Sequence, residues 1–383
     1  MRQFMVRVLT LITLLITSFT QAFAATNAQQ GTKVLMVVSG YGQSQGDEQP
    51  GYEFDEFAKA YLVFNAHGIS VDVASPNGGA VEADQYDPTK AFNAQVLKDS
   101  AIMAQLNNTL AISSLNANNY DAVFIVGGKG AMFDLPKDGA LQQMIADVYE
   151  QQGVVAAVCH GPAALVDVKL SNGEYLVAGK RINGFTNDEE RLFGKKWLPH
   201  FAFLLEDKLA DRGGVFQSSD IMLEHVAVHG RLVTGQNPSS TVGVATAMLE
   251  AMGISVQSVE RFSDDLTLEK VAEFLAGNEQ ALAQLSADPE RYQLTLAGMY
   301  GFYYLKQAEG EKQQQQALAL MLVAQKTINN PNLDIQIAKT QQRLGDTIAS
   351  RKTAEQILVQ HSDFEPAQQF LSSLSQSTKT VRQ

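Results

Sequence analysis

The sequence predicts a doubly wound α/β domain, a mostly parallel sheet with helices on both faces, followed by an all-α C-terminal extension. Three observations lead there. Residues 33–255 alternate short continuous apolar runs with amphipathic stretches, the pattern of strands buried on both faces and crossed over by helices. Beyond about residue 260 the β-branched runs vanish and Leu, Ala, Gln and Glu recur at helical spacing, with only Gly277, Gly298, Gly301, Gly310 and Gly345 among them. The chain of 383 residues exceeds the usual single domain, and its 45% hydrophobic content is enough for packed cores.

Taken in order, Lys33–Ser39 reads as a buried strand. Glu53–His67 reads as a helix whose Phe54, Phe57, Tyr61 and Phe64 share a face. Ser70–Ser75 alternates and reads as a strand. Residues 78–119 interrupt the rhythm as a polar insertion, with one helix expected near Ser100–Leu106 over an edge of the sheet; long insertions of this kind often cover active sites. Ala122–Val126 is a buried strand ending in Gly127-Gly128, Gly139–Gln151 a helix and Gly153–Val158 a further buried strand. His225–Val233 holds two short strands turning at His229-Gly230, and Pro238–Met252 is the last helix of this region. In the tail, breaks at Asp288-Pro289, Asn329–Asn332 and Phe364–Pro366 leave roughly five to seven helices. The spacing of Ala338, Leu344, Gly345, Asp346, Ala354 and Leu358 faintly resembles a tetratricopeptide hairpin, without a recurring repeat of about 34 residues. The alternative is a helical extension that packs on the α/β domain or forms a dimer. The expected division is residues 1–24, 25–258 and 259–383.

Residues 1–24 read as a cleavable signal peptide. Arg2 and Arg7 precede an apolar run, Val8–Phe19, too short for a comfortable membrane span, and Ala22-Phe23-Ala24 offers the small residues of a cleavage site. Cleavage after Ala24 would place the chain in the periplasm or outside the cell, with no stable membrane insertion; an uncleaved anchor is the alternative. The net charge of -12 disfavours nucleic acid as a partner. A single cysteine excludes an intramolecular disulfide, so a lone thiol in an oxidising compartment calls for a reason.

That thiol, Cys159, ends the strand Gly153–Val158 and precedes His160-Gly161-Pro162-Ala163-Ala164-Leu165, which reads as a helix start. A strand stopping at a nucleophile before a helix makes a sharp elbow at the carboxyl edge of the sheet, where open α/β sheets bind ligands. The helix N-terminus is expected to lower the thiol pKa, with His160 steadying the thiolate. Backbone N–H groups at Gly128 and His160 are placed to meet a developing oxyanion. The alternative is a buried, inert cysteine. His225 and His229, four apart, lie on a strand pattern with no third ligand near, so no metal site is expected. His67, His200 and His361 read as ordinary surface or core residues, and Trp197, Phe201 and Phe203 as core or pocket wall.

Gly127–Pro136 resembles a family's glycine-rich loop, Ala157–Ala163 its nucleophile elbow, and Gly184–Glu190 a following segment. Phe203–Glu206 and Leu232–Pro238 match further blocks. Together these segments resemble the ThiJ/PfpI family, within the class I glutamine amidotransferase-like superfamily. The nearest branch is that of heat-inducible chaperones and glutathione-independent glyoxalase III, and the likeness covers about residues 33–253. It implies a flavodoxin-like sandwich, members that commonly pair as homodimers, and an acid from the first helix beside the thiol. Glu56 occupies that position, and Glu53, three residues before, competes with it. The branch has His-Pro where this chain has Lys59-Ala60, and His where Lys129 stands. A cation at Lys129 would attract an anionic substrate or steady the thiolate, or be merely solvated.

The implied activity is conversion of a reactive 2-oxoaldehyde such as methylglyoxal to a hydroxy acid by Cys159, His160 and Glu56, with no metal or organic cofactor. Two other readings remain. One is a cysteine amidase or peptidase. For an amidotransferase the needed late His-x-Glu is missing, since Glu224-His225 runs in the wrong order. The other is an envelope holdase or scaffold that binds a protein partner through the helical tail.

Overall fold

The computed structural model describes residues 31–194 and 196–380, with the side chains of 376–380 excepted; the signal-peptide assignment falls outside the described residues. The chain forms two compact units. The first runs to Ser219 and resumes over Glu224–Glu260; the second comprises Asp220–Leu223 and Arg261 onward.

The first unit contains β1 (Lys33–Val37), β2 (Ser70–Ser75), β3 (Leu110–Ala111), β4 (Ala122–Ile125), β5 (Val154–Val158), β6 (Arg181–Ile182), β7 (Val215–Phe216), β8 (Val226–His229) and β9 (Leu232–Gly235). Seven of these form one sheet in the order β3-β2-β1-β4-β5-β9-β8, and β6 pairs with β7 as a separate small sheet. In the large sheet all neighbours pair in parallel except β8 and β9, a hairpin closed at Gly230, whose φ is +61°. In β4 and β5 every residue is buried, so both faces are covered, as continuous apolar runs require. Each such aliphatic side chain contributes about 1.5–3 kcal/mol on burial. The order reverses between β1 and β4, and the crevice outside the carboxyl ends of strands at such a switch point is the expected ligand position.

Helix α1 (Phe54–Ala66) buries Phe54, Phe57 and Phe64, the last edge-on to Phe124 of β4 at 5.5 Å. It stops at His67-Gly68, where Gly68 takes a φ of +68° that a side chain would resist. The His67 ring is held at both nitrogens, Nδ1 against Val63 O and Nε2 accepting from Gln257 N–H. The insertion differs from expectation. It carries two helices, α2 (Ala91–Lys98) and α3 (Ser100–Asn107), split at Asp99, which caps the second by accepting from Ala101 and Ile102. The first has no clear signature in sequence because its eight residues bury only Phe92, Asn93 and Val96, too few to show a period.

Helix α4 (Gly139–Glu150) starts at Asp138, whose carboxylate accepts from Ala140 and Leu141 N–H. Beyond β5 the chain adds α5 (Asn187–Phe193) and α6 (Leu205–Asp211) between the two short strands β6 and β7. Helix α7 (Thr241–Ala251) closes the unit.

The second unit contains seven helices among its described residues: α8 (Ser263–Leu275), α9 (Glu279–Ala287), α10 (Leu294–Gln307), α11 (Glu311–Gln325), α12 (Pro331–Arg343), α13 (Thr347–Gln360) and α14 (Glu365–Thr380). One core gathers Leu223, Val271, Phe274, Leu285, Tyr300 and Leu320. Another joins Ile335, Ala354, Ile357 and Phe370. Gly301 lets α10 and α11 approach closely, since a Cβ there would lie 2.7 Å from Ala317 O. No helix among the described residues is long and apolar enough to cross a membrane.

Candidate active site

Cys159 sits one residue past β5 at φ +59°, a left-handed conformation rare for a side chain with a Cβ. Its own peptide groups hold it there. Its N–H donates to Gly235 O at 2.9 Å and its carbonyl accepts from Phe185 N–H at 2.8 Å. Gly161 completes the turn against β4: a Cβ there would lie 2.5 Å from Ile125 O. The chain then makes a single 3-10 turn, Gly161–Leu165, with Pro162 in its first turn, rather than an α-helix.

The expected lowering of the thiol pKa is therefore corrected. Burial pushes the Cys159 thiol well above its ordinary range, the Glu56 carboxyl and then Glu53 add to this, and among the leading influences only the Gly128 N–H works the other way. One short 3-10 turn cannot offset desolvation and two carboxyls.

Glu56 lies on the first turn of α1 with no exposed surface. Its Oε2 accepts from Gly127 N–H at 2.8 Å, while Oε1 is buried without a partner of full hydrogen-bond geometry. The thiol is near enough to bond the carboxyl as a whole and to favour its charged form. Burial and Glu53 nevertheless prevail and raise the Glu56 pKa well above the usual carboxylate value. Burial raises both groups and the carboxyl raises the thiol further, so the pair resists carrying two negative charges at once.

On the thiol's other neighbour, His160, Nδ1 lies 3.4 Å from Sγ and Nε2 pairs with Glu190 Oε1. A carboxylate only accepts, so Nε2 donates to Glu190 and Nδ1 is the ring nitrogen turned toward the thiol. The ring is walled by Phe185 at 4.5 Å and Phe201 at 6.0 Å. Glu190 stands on α5, whose start is fixed by a capping box between Thr186 and Glu189. Glu189 also accepts from Asn237 Nδ2, leaving Glu190 for the histidine. Sequence places Glu190 within a motif but assigns it no role. The signal present, an acid pair behind a threonine cap, does not say which acid turns inward.

The structure thus brings together all the residues singled out: Cys159, His160, Glu56 and Gly128. Gly128 takes φ +92°, and a Cβ there would lie 2.5 Å from Glu53 N. Its N–H faces the thiol, and the His160 N–H makes no backbone hydrogen bond among the described residues. Phe133 stacks on Tyr41 and meets Trp197 and Phe201 edge-on. Lys59 is buried, its ammonium 4.7 Å from the Phe92 ring. His225 and His229 do not converge: the first meets Ser219 Oγ and the second Arg181 N–H.

A cysteine at positive φ above the carboxyl edge of a parallel sheet, flanked by a buried acid and an oriented histidine, marks an α/β protein with a sharp strand-to-turn elbow. A model of the DJ-1/PfpI family matches residues 49–251, and the chain belongs to that family. A glutathione-independent glyoxalase of Schizosaccharomyces pombe is 30% identical over 249 residues, covering 58% of this chain and 96% of the relative. Glyoxalase 3 of Candida albicans is 30% identical, covering 57% and 98%. Among solved structures, glyoxalase III of Candida albicans is similar with a TM-score of 0.54 at 28% identity, over 57% of this chain and 97% of that one. Rapid Encystment Protein of Francisella tularensis also has a TM-score of 0.54, at 29% identity, over 58% and 99%.

Proposed function

We propose that the chain is an enzyme of the glyoxalase III type, converting a 2-oxoaldehyde such as methylglyoxal to a 2-hydroxy acid without glutathione. The observation that carries this is the placement of one thiol between a protonatable buried carboxyl, Glu56, and the Nδ1 of His160 oriented by Glu190. Relatives named glutathione-independent glyoxalases support the same reading.

The chemistry balances without an external oxidant or reductant. Sγ adds to the aldehyde carbon while its proton passes to His160 Nδ1 or, within the coupled pair, to Glu56; the aldehyde oxygen becomes the hydroxyl of a hemithioacetal. Loss of the proton on that carbon and its return to the neighbouring carbon, through an enediol, turn the adduct into a 2-hydroxy thioester. Glu56 suits this transfer because its raised pKa makes it a stronger base than an ordinary carboxylate while leaving it able to return the proton. The N–H groups of Gly128 and His160 meet the oxyanion. Water then cleaves the thioester, releasing the hydroxy acid and restoring the thiol.

The test is turnover of methylglyoxal by purified residues 25–383 with no glutathione. Wild type forms lactate; Cys159→Ser abolishes turnover, and Glu56→Gln lowers it by roughly 100-fold or more. A Cys159→Ser protein that still forms lactate overturns the reading. The sequence also supports export with cleavage after Ala24, which N-terminal sequencing of the mature protein checks by finding Ala25 first.

A further inference from the structure

Glu56 has no exposed surface, yet the mechanism requires it to gain and lose protons. A buried acid in that position needs a route to water. The residue three before it, Glu53, is partly exposed. It stands at the N-cap of α1 but caps nothing: its side chain bonds no backbone N–H of the helix, and that side chain makes no hydrogen bond or ion pair among the described residues. Glu56 is the third helical residue, the position that faces the cap across the first turn. In a capping box the acid there would reach back to the cap; here it bonds Gly127 N–H instead.

The same Gly127 fixes both glutamates. Its N–H donates to Glu56 Oε2, and its carbonyl accepts from Glu53 N–H at 3.2 Å. Gly128, whose own N–H serves the thiol, leaves no room for a side chain beside Glu53 N. The Glu53 backbone is thereby held against the glycine-rich loop, and its partly exposed side chain starts one helical turn before Glu56.

We propose that Glu53 is a positioning residue for the glyoxalase reaction, the group through which the buried Glu56–Cys159 pair exchanges protons with water. This role rests on the glyoxalase reading of the site. The charges that face Glu53 come from several segments. Asp55 and Glu56 lie on its own helix, Asp84 on the chain after β2, Lys90 before α2, Lys129 after β4, and Cys159 at the elbow. Burial, Asp55 and Asp84 push its carboxyl up to about 7, against the pull of Lys129 and Lys90. The proton path is Glu56 carboxyl to Glu53 carboxylate to water, and the reverse, with no net change in either acid over a turnover.

Two readouts test this. Cys159 is the only cysteine, so its alkylation by iodoacetamide across pH reports the site without any assumption about substrate. The wild-type profile carries an inflection near pH 7 besides the thiol's own titration. Ionised Glu53 disfavours the thiolate, so Glu53→Gln removes that inflection and moves thiol titration to lower pH. Lys129→Met removes a cation that favours ionised Glu53, so the inflection moves up. In turnover of methylglyoxal, Glu53→Gln lowers kcat with little change in KM, and added imidazole buffer restores rate in proportion to its concentration. A Glu53→Gln alkylation profile that superimposes on wild type overturns the proposal, whatever the substrate proves to be. So does an inflection that Lys129→Met leaves in place, which decides the matter if Glu53→Gln fails to fold. Normal shifts in alkylation with no turnover by any form would instead overturn the glyoxalase reading alone.

Discussion

Each side chain at the thiol is set by one or two named bonds, and the weakest of these to predict is also the most consequential. Glu190 reaches His160 Nε2 and so decides which ring nitrogen faces Sγ. Glu190→Gln keeps the shape but offers an N–H as readily as a carbonyl oxygen, so it no longer fixes which ring nitrogen bears the hydrogen. Its expected effect is a fall in kcat of roughly 100-fold or more at nearly constant KM, measured by steady-state turnover of methylglyoxal; an unchanged kcat would remove Glu190 from the mechanism. Cys159 and His160 are legible in sequence because the elbow is a local device, a strand, a nucleophile and a glycine in succession. Glu56 is legible only through a resemblance, since it lies far from the thiol along the chain. Glu190 lies in a resembling segment too, but nothing there separates it from Glu189 as the acid that turns inward. The thiol's pKa runs opposite in sign to the sequence expectation for a related reason: the helix argument is local, whereas the carboxyls that oppose it arrive from α1.

At the scale of elements, the site depends on how closely the elbow lies against β4. Gly161 is where that approach is tightest. In Gly161→Ala the new Cβ would fall 2.5 Å from the Ile125 carbonyl oxygen, which belongs to a strand and cannot swing aside. The expected cost is about 1–3 kcal/mol, read as a lower urea midpoint of the α/β unit, with altered Cys159 alkylation because the elbow must shift. A variant as stable as wild type would mean the turn relaxes freely. Length and burial explain which elements the sequence discloses. Strands β1, β4 and β5 are mostly buried apolar runs of four or five residues, and the six-residue β2 alternates, so all four stand out plainly. Strands β3, β6 and β7 have two residues each, too few for any period, and exist only because a neighbour supplies their hydrogen bonds.

At the scale of the whole chain, the helical unit is more than a tail. Composition marks a change near residue 260, and the second unit does run from Arg261, but it also claims Asp220–Leu223. No periodicity could announce that, because four residues carry no pattern and Leu223 reads as part of a loop. Yet Leu223 is 7% exposed and shares a core with Val271, Phe274 and Tyr300. The helical unit therefore includes a residue that lies well before its main segment in the chain. Leu223→Ala removes a buried side chain from that core and is expected to cost about 2–3 kcal/mol, since loss of a buried leucine costs transfer energy plus a cavity. The effect should fall on the transition of the helices, followed by far-UV circular dichroism in urea. If Leu223 were only a surface loop residue, the midpoint of that transition would stay within about 0.5 kcal/mol of wild type. Replacing Val271 by Ala provides the comparison, because it opens the same core from inside α8. Two variants that destabilise the same transition by similar amounts, and together by other than the sum, would show that both residues belong to one cooperative core.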